Sequence, residues 1–151
     1  MYPDERVARF IRENFLPVRI HIKENPKGFE RFGAQWTPTV IIADASGTER
    51  YRFEGFLPVE DYLAQLGLGL GKAAFANQNW AEAERRFREV AAQFPKSEAA
   101  AEALYWAGVS KYKAKGDAAA LKETAEAFKS KYTDTQWAKK ASVWAACGWS
   151  A

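Results

Sequence analysis

Few residues in this sequence could carry out nucleophilic, redox or metal chemistry. Cys147 is the single cysteine and His21 the single histidine. Thiol-disulfide exchange needs a thiolate and a second, resolving thiol, and a catalytic relay needs a histidine beside its nucleophile. The sequence as written therefore predicts no internal disulfide, no catalytic residue, no metal site and no cofactor. We expect Cys147 to be an incidental thiol and His21 a solvated strand residue.

Two other patterns that can signal chemistry have simpler explanations. The glycine-rich stretch from Gly67 to Lys72 follows a predicted helix, and it lacks the Ser or Thr that a phosphate-binding loop carries after its lysine. The acidic pairs Glu60-Asp61 and Glu82/Glu84 fall in the first turns of predicted helices, where the helix dipole favours carboxylates. Neither pattern predicts nucleotide binding or a catalytic carboxylate pair.

A proline precedes the most apolar strand-like segment of the chain. Trp36-Thr37-Pro38-Thr39 runs directly into Val40-Ile41-Ile42. Because proline cannot donate to a sheet ladder, its position indicates the entrance to a strand over Thr39–Ala43, and the unbroken apolar run predicts burial on both faces. X-Pro bonds are also the usual site of cis peptides.

The segment before this strand predicts a helix and a strand. Pro3-Asp4-Glu5, followed by apolar residues at helical spacing, predicts an amphipathic helix over residues 4–14, ended by Pro17. Apolar and polar residues then alternate, which predicts an edge strand over Val18–Lys23.

The segment after it predicts a hairpin and a second helix. Asp44 to Gly47 has turn composition, and Tyr51 to Phe53 alternates again as an antiparallel partner strand. Pro58 stands where a first helical position is expected. We expect Gly67, Gly69 and Gly71 to interrupt this helix and to mark a domain junction.

From Phe32 to Leu66, the order Thr-Pro-Thr, apolar strand, glycine turn, strand and helix resembles the C-terminal half of a thioredoxin-like domain. In that family the Thr-Pro bond is cis and faces a Cys-x-x-Cys motif, which this sequence lacks. The resemblance implies that the central strand before the motif is also missing. It implies that Trp36, Thr37 and Pro38 form a peptide-binding loop in which Thr37 offers backbone hydrogen bonds; the alternative is a purely structural strand entrance.

Beyond the glycines the sequence repeats itself. Phe94 to Trp106 aligns with Tyr132 to Trp144 at an offset of 38 residues. Each unit reads as a helix, an aromatic residue, a short turn and an alanine-rich helix, which resembles a tetratricopeptide-type hairpin. Asn79 to Glu82 matches a capping box, and Gly116-Asp117 indicates one helix end followed by the next N-cap.

Most tryptophans lie in this helical part, where the first predicted helix has one apolar stripe, made of Trp80, Ala83, Phe87, Val90 and Phe94. We expect the tryptophans to pack in the core, and a groove for a partner's peptide is the alternative. Trp149 is expected to cover the open end of the hairpins.

The predicted fold class is thus α/β plus all-α. Residues 1–66 would form a thioredoxin-like partial domain with an incomplete sheet. Residues 67–151 would form a tetratricopeptide-like helical domain.

Composition narrows the classes of partner. The chain is 48% hydrophobic and 27% charged with a net charge of +3, and its basic residues are interleaved with acids, so we expect no nucleic-acid partner. No apolar stretch is long enough to span a bilayer, and the first residues lack the order of a secretory signal. We therefore expect a soluble cytoplasmic protein with no membrane partner, unless the chain is truncated at its N-terminus.

These observations predict a non-catalytic thioredoxin-like module that binds a protein or peptide. One alternative is the C-terminal portion of a thiol-disulfide oxidoreductase whose Cys-x-x-Cys segment lies upstream; another is a structural adaptor that acts through the helical hairpins. The missing strand also predicts a homodimer through the exposed sheet edge, or poor solubility, unless Val18–Lys23 and Thr39–Ala43 pair directly.

Overall fold

The computed structural model describes residues 3–146, so the expectations for Cys147 and Trp149 lie outside the described residues. Two short helices precede a two-stranded sheet, and a helical segment follows it. The elements are α1 Glu5–Asn14, α2 Pro26–Arg31, β1 Thr39–Ala43, β2 Glu49–Glu54, α3 Val59–Ala76, α4 Trp80–Gln93, α5 Glu98–Lys115, α6 Ala119–Phe128 and α7 Gln136–Ser142, with a 3-10 turn at Val143–Ala145.

Helix α1 confirms the prediction for residues 4–14. Asp4 is its N-cap, and the carboxylate accepts a hydrogen bond from the backbone N–H of Arg6 at 2.8 Å. Val7 is buried on the side that faces the sheet and α3. The helix ends at Asn14, three residues before Pro17.

The predicted hairpin is also present. β1 and β2 pair antiparallel, with Thr39 opposite Glu54 and Ile42 opposite Tyr51, and the register shifts between Ile42 and Ala43. The burial predicted for both faces of β1 is wrong, because only Ile42 is buried in this strand. A two-stranded sheet covered by α3 on one side leaves the other face of β1 partly open to solvent.

The predicted edge strand over Val18–Lys23 is wrong. No strand forms there, and Val18 and Ile22 are 81% and 43% exposed. The segment ends in a turn, where the carbonyl of His21 accepts the N–H of Asn25 at 2.7 Å. A strand needs a neighbour to receive its backbone hydrogen bonds, and the described residues offer none beside this segment.

The predicted interruption of α3 at its glycines is wrong as well. α3 continues without a break from Val59 to Ala76, with Pro58 as its N-cap rather than its first residue. A Cβ at Gly67 would lie 2.7 Å from Val90, at Gly69 2.1 Å from Ile42, and at Gly71 2.4 Å from Phe87. The glycines therefore let the sheet and α4 approach α3 closely from different sides.

The 38-residue repeat is confirmed in the geometry of the turns. α5 begins at Glu98 and α7 at Gln136, which are 38 residues apart. At the two N-caps, the hydroxyl of Ser97 donates to the carbonyl of Phe94 at 2.7 Å, and that of Thr135 to the carbonyl of Tyr132 at 2.6 Å. The same sequence pattern thus builds the same turn twice.

A second repeat was not apparent from the sequence. Gly71 on α3 lies against Phe87 on α4, and Gly108 on α5 lies against Thr124 on α6, so each glycine meets a residue 16 positions later. This relation groups α3 with α4 and α5 with α6. Each pair is a hairpin whose helices cross at a glycine.

The local predictions for the helical part are confirmed in part. Gly116 ends α5 in the left-handed conformation at φ 66°, and the predicted stripe of α4 is buried at Ala83, Phe87 and Val90. The N-cap of α6 is Ala118 rather than Asp117, although the carboxylate of Asp117 accepts the N–H of Ala119 at 2.9 Å. The capping box is not formed: Asn79 is the N-cap of α4 but makes no side-chain cap bond. Glu82 is instead held by two arginines of its own helix, Arg85 and Arg86.

The core runs through the molecule as three linked clusters. The first joins α1, the sheet and the start of α3; the second joins α3, α4 and α5; the third joins α5, α6 and α7. Helices α3 and α5 each contribute to two clusters, so the sheet and the last helices are connected through shared helices.

Candidate polypeptide-binding site

The loop Trp36-Thr37-Pro38 lies between α2 and β1 and presents its first two residues to solvent. The Thr37-Pro38 peptide bond is cis. Trp36 is 66% exposed, and Thr37 is exposed as well. Among residues 3–146, no hydrogen bond from the backbone of Thr37 is found, so its N–H and C=O are open to an incoming chain.

Both ends of this loop are fixed. On the β1 side, the hydroxyl of Thr39 donates to the carbonyl of Trp36 at 2.6 Å, and the N–H of Gly55 donates to the carbonyl of Pro38 at 2.8 Å. On the α2 side, the guanidinium of Arg52 donates to the carbonyl of Phe32. The loop is therefore held on the hairpin while the backbone of its central residue stays uncommitted.

Arg52 is itself oriented by an acid on the same strand. Its Nε lies 2.7 Å from a carboxylate oxygen of Glu49. This hydrogen bond raises the pKa of Arg52 and lowers that of Glu49. The ion pair keeps the guanidinium aimed at the loop.

The edge of β1 that faces away from β2 is open in the described part of the chain. Pro38 is bonded to Gly55, and hydrogen-bonding residues alternate along an antiparallel ladder. Val40 and Ile42 therefore bond to β2, and the N–H and C=O groups of Thr39 and Ile41 point to the open edge. Thr37 stands at the start of this edge.

The loop and the hairpin lie within a region that matches a known family. Residues 1–69 match a thioredoxin-like domain, and residues 65–97 match a tetratricopeptide repeat. Residues 1–97 of the chain thus comprise a thioredoxin-like domain followed by a tetratricopeptide repeat. No curated protein and no solved structure matches it.

The two matches overlap within α3. Residues 65–69 belong to both, so the thioredoxin-like domain and the tetratricopeptide repeat share one continuous helix. The repeat spans the end of α3 and all of α4, which agrees with the hairpin grouping of Gly71 with Phe87. The 38-residue offset had instead grouped α4 with α5. A domain boundary between residues 66 and 67 stays a prediction.

An unpartnered apolar segment lies before the open edge in the thioredoxin-like domain. Leu16 and Val18 are 93% and 81% exposed, and residues 15–21 form no helix or strand. Apolar and polar residues alternate here as in a strand that lacks its neighbour. An exposed strand-like segment and an open strand edge thus occur in the same domain.

The other residues considered for chemistry have structural roles. His21 lies in a turn, where its Nδ1 accepts the N–H of Lys23 at 3.3 Å. Glu60 pairs with Arg6, and hydrogen bonding from Arg85 lowers the pKa of Glu82. Within residues 3–146, no cluster of three or more potential metal-binding side chains occurs, and none of the helices is long and apolar enough to span a membrane.

A polar network joins the thioredoxin-like sheet to the helical segment. The hydroxyl of Tyr51, which lies opposite Ile42, donates to the side chain of Gln65 on α3, and burial raises the pKa of this tyrosine. Further along α3, Lys72 lies 2.8 Å from Glu102 on α5, whose carboxylate also accepts the indole N–H of Trp106 at 3.3 Å. Sequence reasoning missed this network because its members are far apart in the chain.

Proposed function

We propose that this protein is a protein-interaction module that binds an extended polypeptide along the open edge of β1, with Trp36, Thr37 and Pro38 at the end of the binding site. The observation that carries the proposal is the row of uncommitted backbone groups at Thr37, Thr39 and Ile41. A strand added to such an edge gains backbone hydrogen bonds whatever its sequence, and side chains at the edge supply selectivity. The exposed ring of Trp36 offers the apolar contact.

Hydrogen exchange on the full chain tests this proposal. The probe is a ten-residue peptide of alternating valine and threonine with lysines at both ends. We expect the amides of Thr37, Thr39 and Ile41 to become protected on binding, while Val40 and Ile42 are protected by β2 already. Protection gained only in the helical segment would contradict the proposal.

Two variants separate edge binding from folding. Ile41→Pro removes an N–H that points away from β2, so it should abolish peptide binding with the hairpin retained, because proline is tolerated where the N–H leaves the ladder. Trp36→Ala should weaken binding at least several-fold. The matched control is Val143→Ala, which shortens another exposed apolar side chain and should leave binding unchanged.

A second candidate is a portion of a thiol-disulfide oxidoreductase completed by a strand that leads into Cys-x-x-Cys. The open edge of β1 and the exposed, strand-like segment around Val18 favour it, because in the thioredoxin-like family the strand before Cys-x-x-Cys lies between the counterparts of these two segments. If the encoded sequence extends ahead of residue 1 with such a strand, the longer protein should reduce insulin disulfides. If the present chain and its Cys147→Ser variant reduce insulin disulfides at the same rate, Cys147 does not contribute to the reduction. This result would agree with a chain that needs the added strand and its Cys-x-x-Cys motif for activity.

A second copy of the chain is another source of the added strand. The segment around Val18 of one copy could pair with β1 of the other, which would give a homodimer closed by two-fold symmetry. Light scattering over a range of concentrations tests this: a monomer at the highest concentration would contradict it. The tetratricopeptide repeat indicates protein–protein interaction in general.

A further inference from the structure

A continuous row of aromatic rings crosses the helical segment. Ring centroids are 4.9 Å apart for Trp80 and Phe75, 5.2 Å for Phe75 and Trp106, and 6.4 Å for Trp106 and Trp137. Tyr105 joins the row at 5.3 Å from Trp106. All five rings are half-buried, so each keeps part of its surface in solvent.

The expectation that the tryptophans of the helical part pack in the core is confirmed in part, since Trp106 and Trp137 pack against two core clusters while keeping part of their surface in solvent. Within residues 3–146 only Trp144 among them is buried, stacked on Tyr105 at 4.7 Å. Trp80 on α4, Trp106 on α5 and Trp137 on α7 are partly exposed. Large aromatic side chains held half-exposed in a row are typical of interaction surfaces.

Lysines lie over the faces of three of these rings. The ammonium of Lys72 is 4.5 Å from the ring centroid of Trp106, that of Lys113 is 5.8 Å from Trp80, and that of Lys140 is 4.2 Å from Trp137. We name the five rings and three lysines the aromatic-lysine face. The ring quadrupole attracts each ammonium and holds it at the rim of the face.

Two of these lysines lack a carboxylate partner in the described part of the chain. Lys72 already pairs with Glu102, whereas no ion pair of Lys113 or Lys140 occurs among residues 3–146. Two acids close to the row are already paired, Glu102 with Lys72 and Glu82 with arginines of its own helix, and α7 has two lysines and no acid. A carboxylate arriving at Lys113 or Lys140 would form an ion pair without breaking an existing one.

We propose that the aromatic-lysine face binds an acidic segment of another protein that also carries large apolar side chains. The apolar side chains would cover the exposed parts of the rings, and the carboxylates would pair with Lys113 and Lys140. Along the row, Trp80 and Trp137 are no more than about 17 Å apart, a distance that an extended peptide covers in about five residues at 3.3 Å each. A segment of that length or longer is therefore sufficient to reach both ends of the row.

Fluorescence anisotropy with the full chain tests this. The probe is a labelled eight-residue peptide that alternates glutamate with phenylalanine or leucine, and the comparison peptide has lysine in place of glutamate. We expect the acidic peptide to bind at least tenfold more tightly, with an affinity that falls as salt is added. Equal binding of both peptides would overturn the proposal.

Charge variants locate the site. The double variant Lys113→Glu/Lys140→Glu should weaken binding of the acidic peptide at least tenfold, and Lys113→Gln/Lys140→Gln should weaken it less. The control Lys122→Glu/Lys131→Glu makes the same change in net charge at exposed lysines outside the face. An equal loss of binding in the control would mean that only overall charge attracts the peptide, and would overturn the proposal. Circular dichroism verifies that each variant is folded. If charge reversal disturbs the fold, the glutamine double variant is compared with wild type instead.

The Trp36→Ala variant distinguishes this surface from the sheet edge. Binding of the acidic peptide should be unchanged in that variant, with the fluorescence of the helical tryptophans still responding. Loss of acidic-peptide binding in Trp36→Ala would place the peptide on the loop and overturn the present proposal while leaving the one for the β1 edge intact.

Discussion

Asp44 organises the turn between β1 and β2 with a single carboxylate. It accepts hydrogen bonds from the N–H of Ser46 at 3.0 Å, the N–H of Thr48 at 3.1 Å and the Nε of Arg50 at 2.7 Å, and another from the hydroxyl of Ser46. The bonds from the Ser46 hydroxyl and from Arg50 hold the pKa of Asp44 well below its ordinary value. The hairpin that carries the open edge thus depends on an ionised acid.

This dependence gives a prediction for pH. A folded-state pKa below the unfolded value of about 3.9 contributes stability that is fully present above pH 4 and is lost as the pH falls toward the folded pKa. Asp44→Asn should lower the thermal midpoint at pH 7. The difference in thermal midpoint between this variant and wild type should become steadily smaller below pH 4. Thermal unfolding followed by circular dichroism between pH 2 and pH 7 measures this.

The matched control is Asp134→Asn. Asp134 is exposed in a turn, and no hydrogen bond to its carboxylate occurs among the described residues. Its substitution should change the midpoint little at any pH. A difference between Asp44→Asn and wild type that stayed constant down to pH 2 would show that the effect is steric rather than ionic.

The glycines of α3 have their effect at the scale of the element. Gly69 is the point where α3 meets β1, and a Cβ there would lie 2.1 Å from Cδ1 of Ile42. Alanine gains about 1 kcal/mol over glycine in helix propensity, but overpacking of this kind costs about 1–3 kcal/mol. We expect Gly69→Ala to be destabilising by up to about 2 kcal/mol in urea unfolding.

A second substitution identifies the cause. Ile42→Val removes the Cδ1 atom that the new Cβ would meet, at a cost of about 0.5–1.5 kcal/mol alone. In Gly69→Ala/Ile42→Val the total loss should be clearly smaller than the sum of the two single losses, since the overlap is relieved. Additive losses would mean that the contact between α3 and β1 is not what limits the size of residue 69.

Elements that depend on local pattern were predictable, and elements that depend on a distant neighbour were not. Helix α1 and the β1–β2 hairpin follow from caps, turns and periodicity within a few residues. The segment around Val18 has the pattern of a strand, but a strand needs a partner that the described chain does not supply. Glycines in α3 read as helix breakers, because sequence does not show which helix approaches them.

The contacts that explain these glycines are visible only in the structure. Gly71 and Gly108 each precede, by 16 residues, the side chain that lies against them, but Phe87 and Thr124 are different residue types, so the sequence does not mark the relation. In the candidate site, the loop at Trp36 to Pro38 followed from sequence, whereas the anchoring by Arg52 needed the fold.

At the scale of the whole molecule, the thioredoxin-like domain and the helical segment are linked by more than α3. The side-chain oxygen of Asn14 on α1 accepts a hydrogen bond from Arg86 on α4 at 2.9 Å. Tyr51 and Phe94 pack against both the first and the second core cluster. A change in the core around α1 should therefore alter the stability of the helices that follow.

Val7→Ala tests this coupling, because Val7 is buried in the first cluster. The lost methyl groups should cost about 2 kcal/mol. In a Trp36→Phe background, every described tryptophan reports on the helical segment, so tryptophan fluorescence follows that segment alone. We expect its unfolding midpoint in urea to fall together with that from circular dichroism, since shared helices make the clusters unfold as one unit. As a control, substitution of the exposed Glu13 on the same helix, Glu13→Ala, should change neither midpoint appreciably. A fluorescence midpoint unchanged by Val7→Ala would mean that the helical segment unfolds independently of the first cluster.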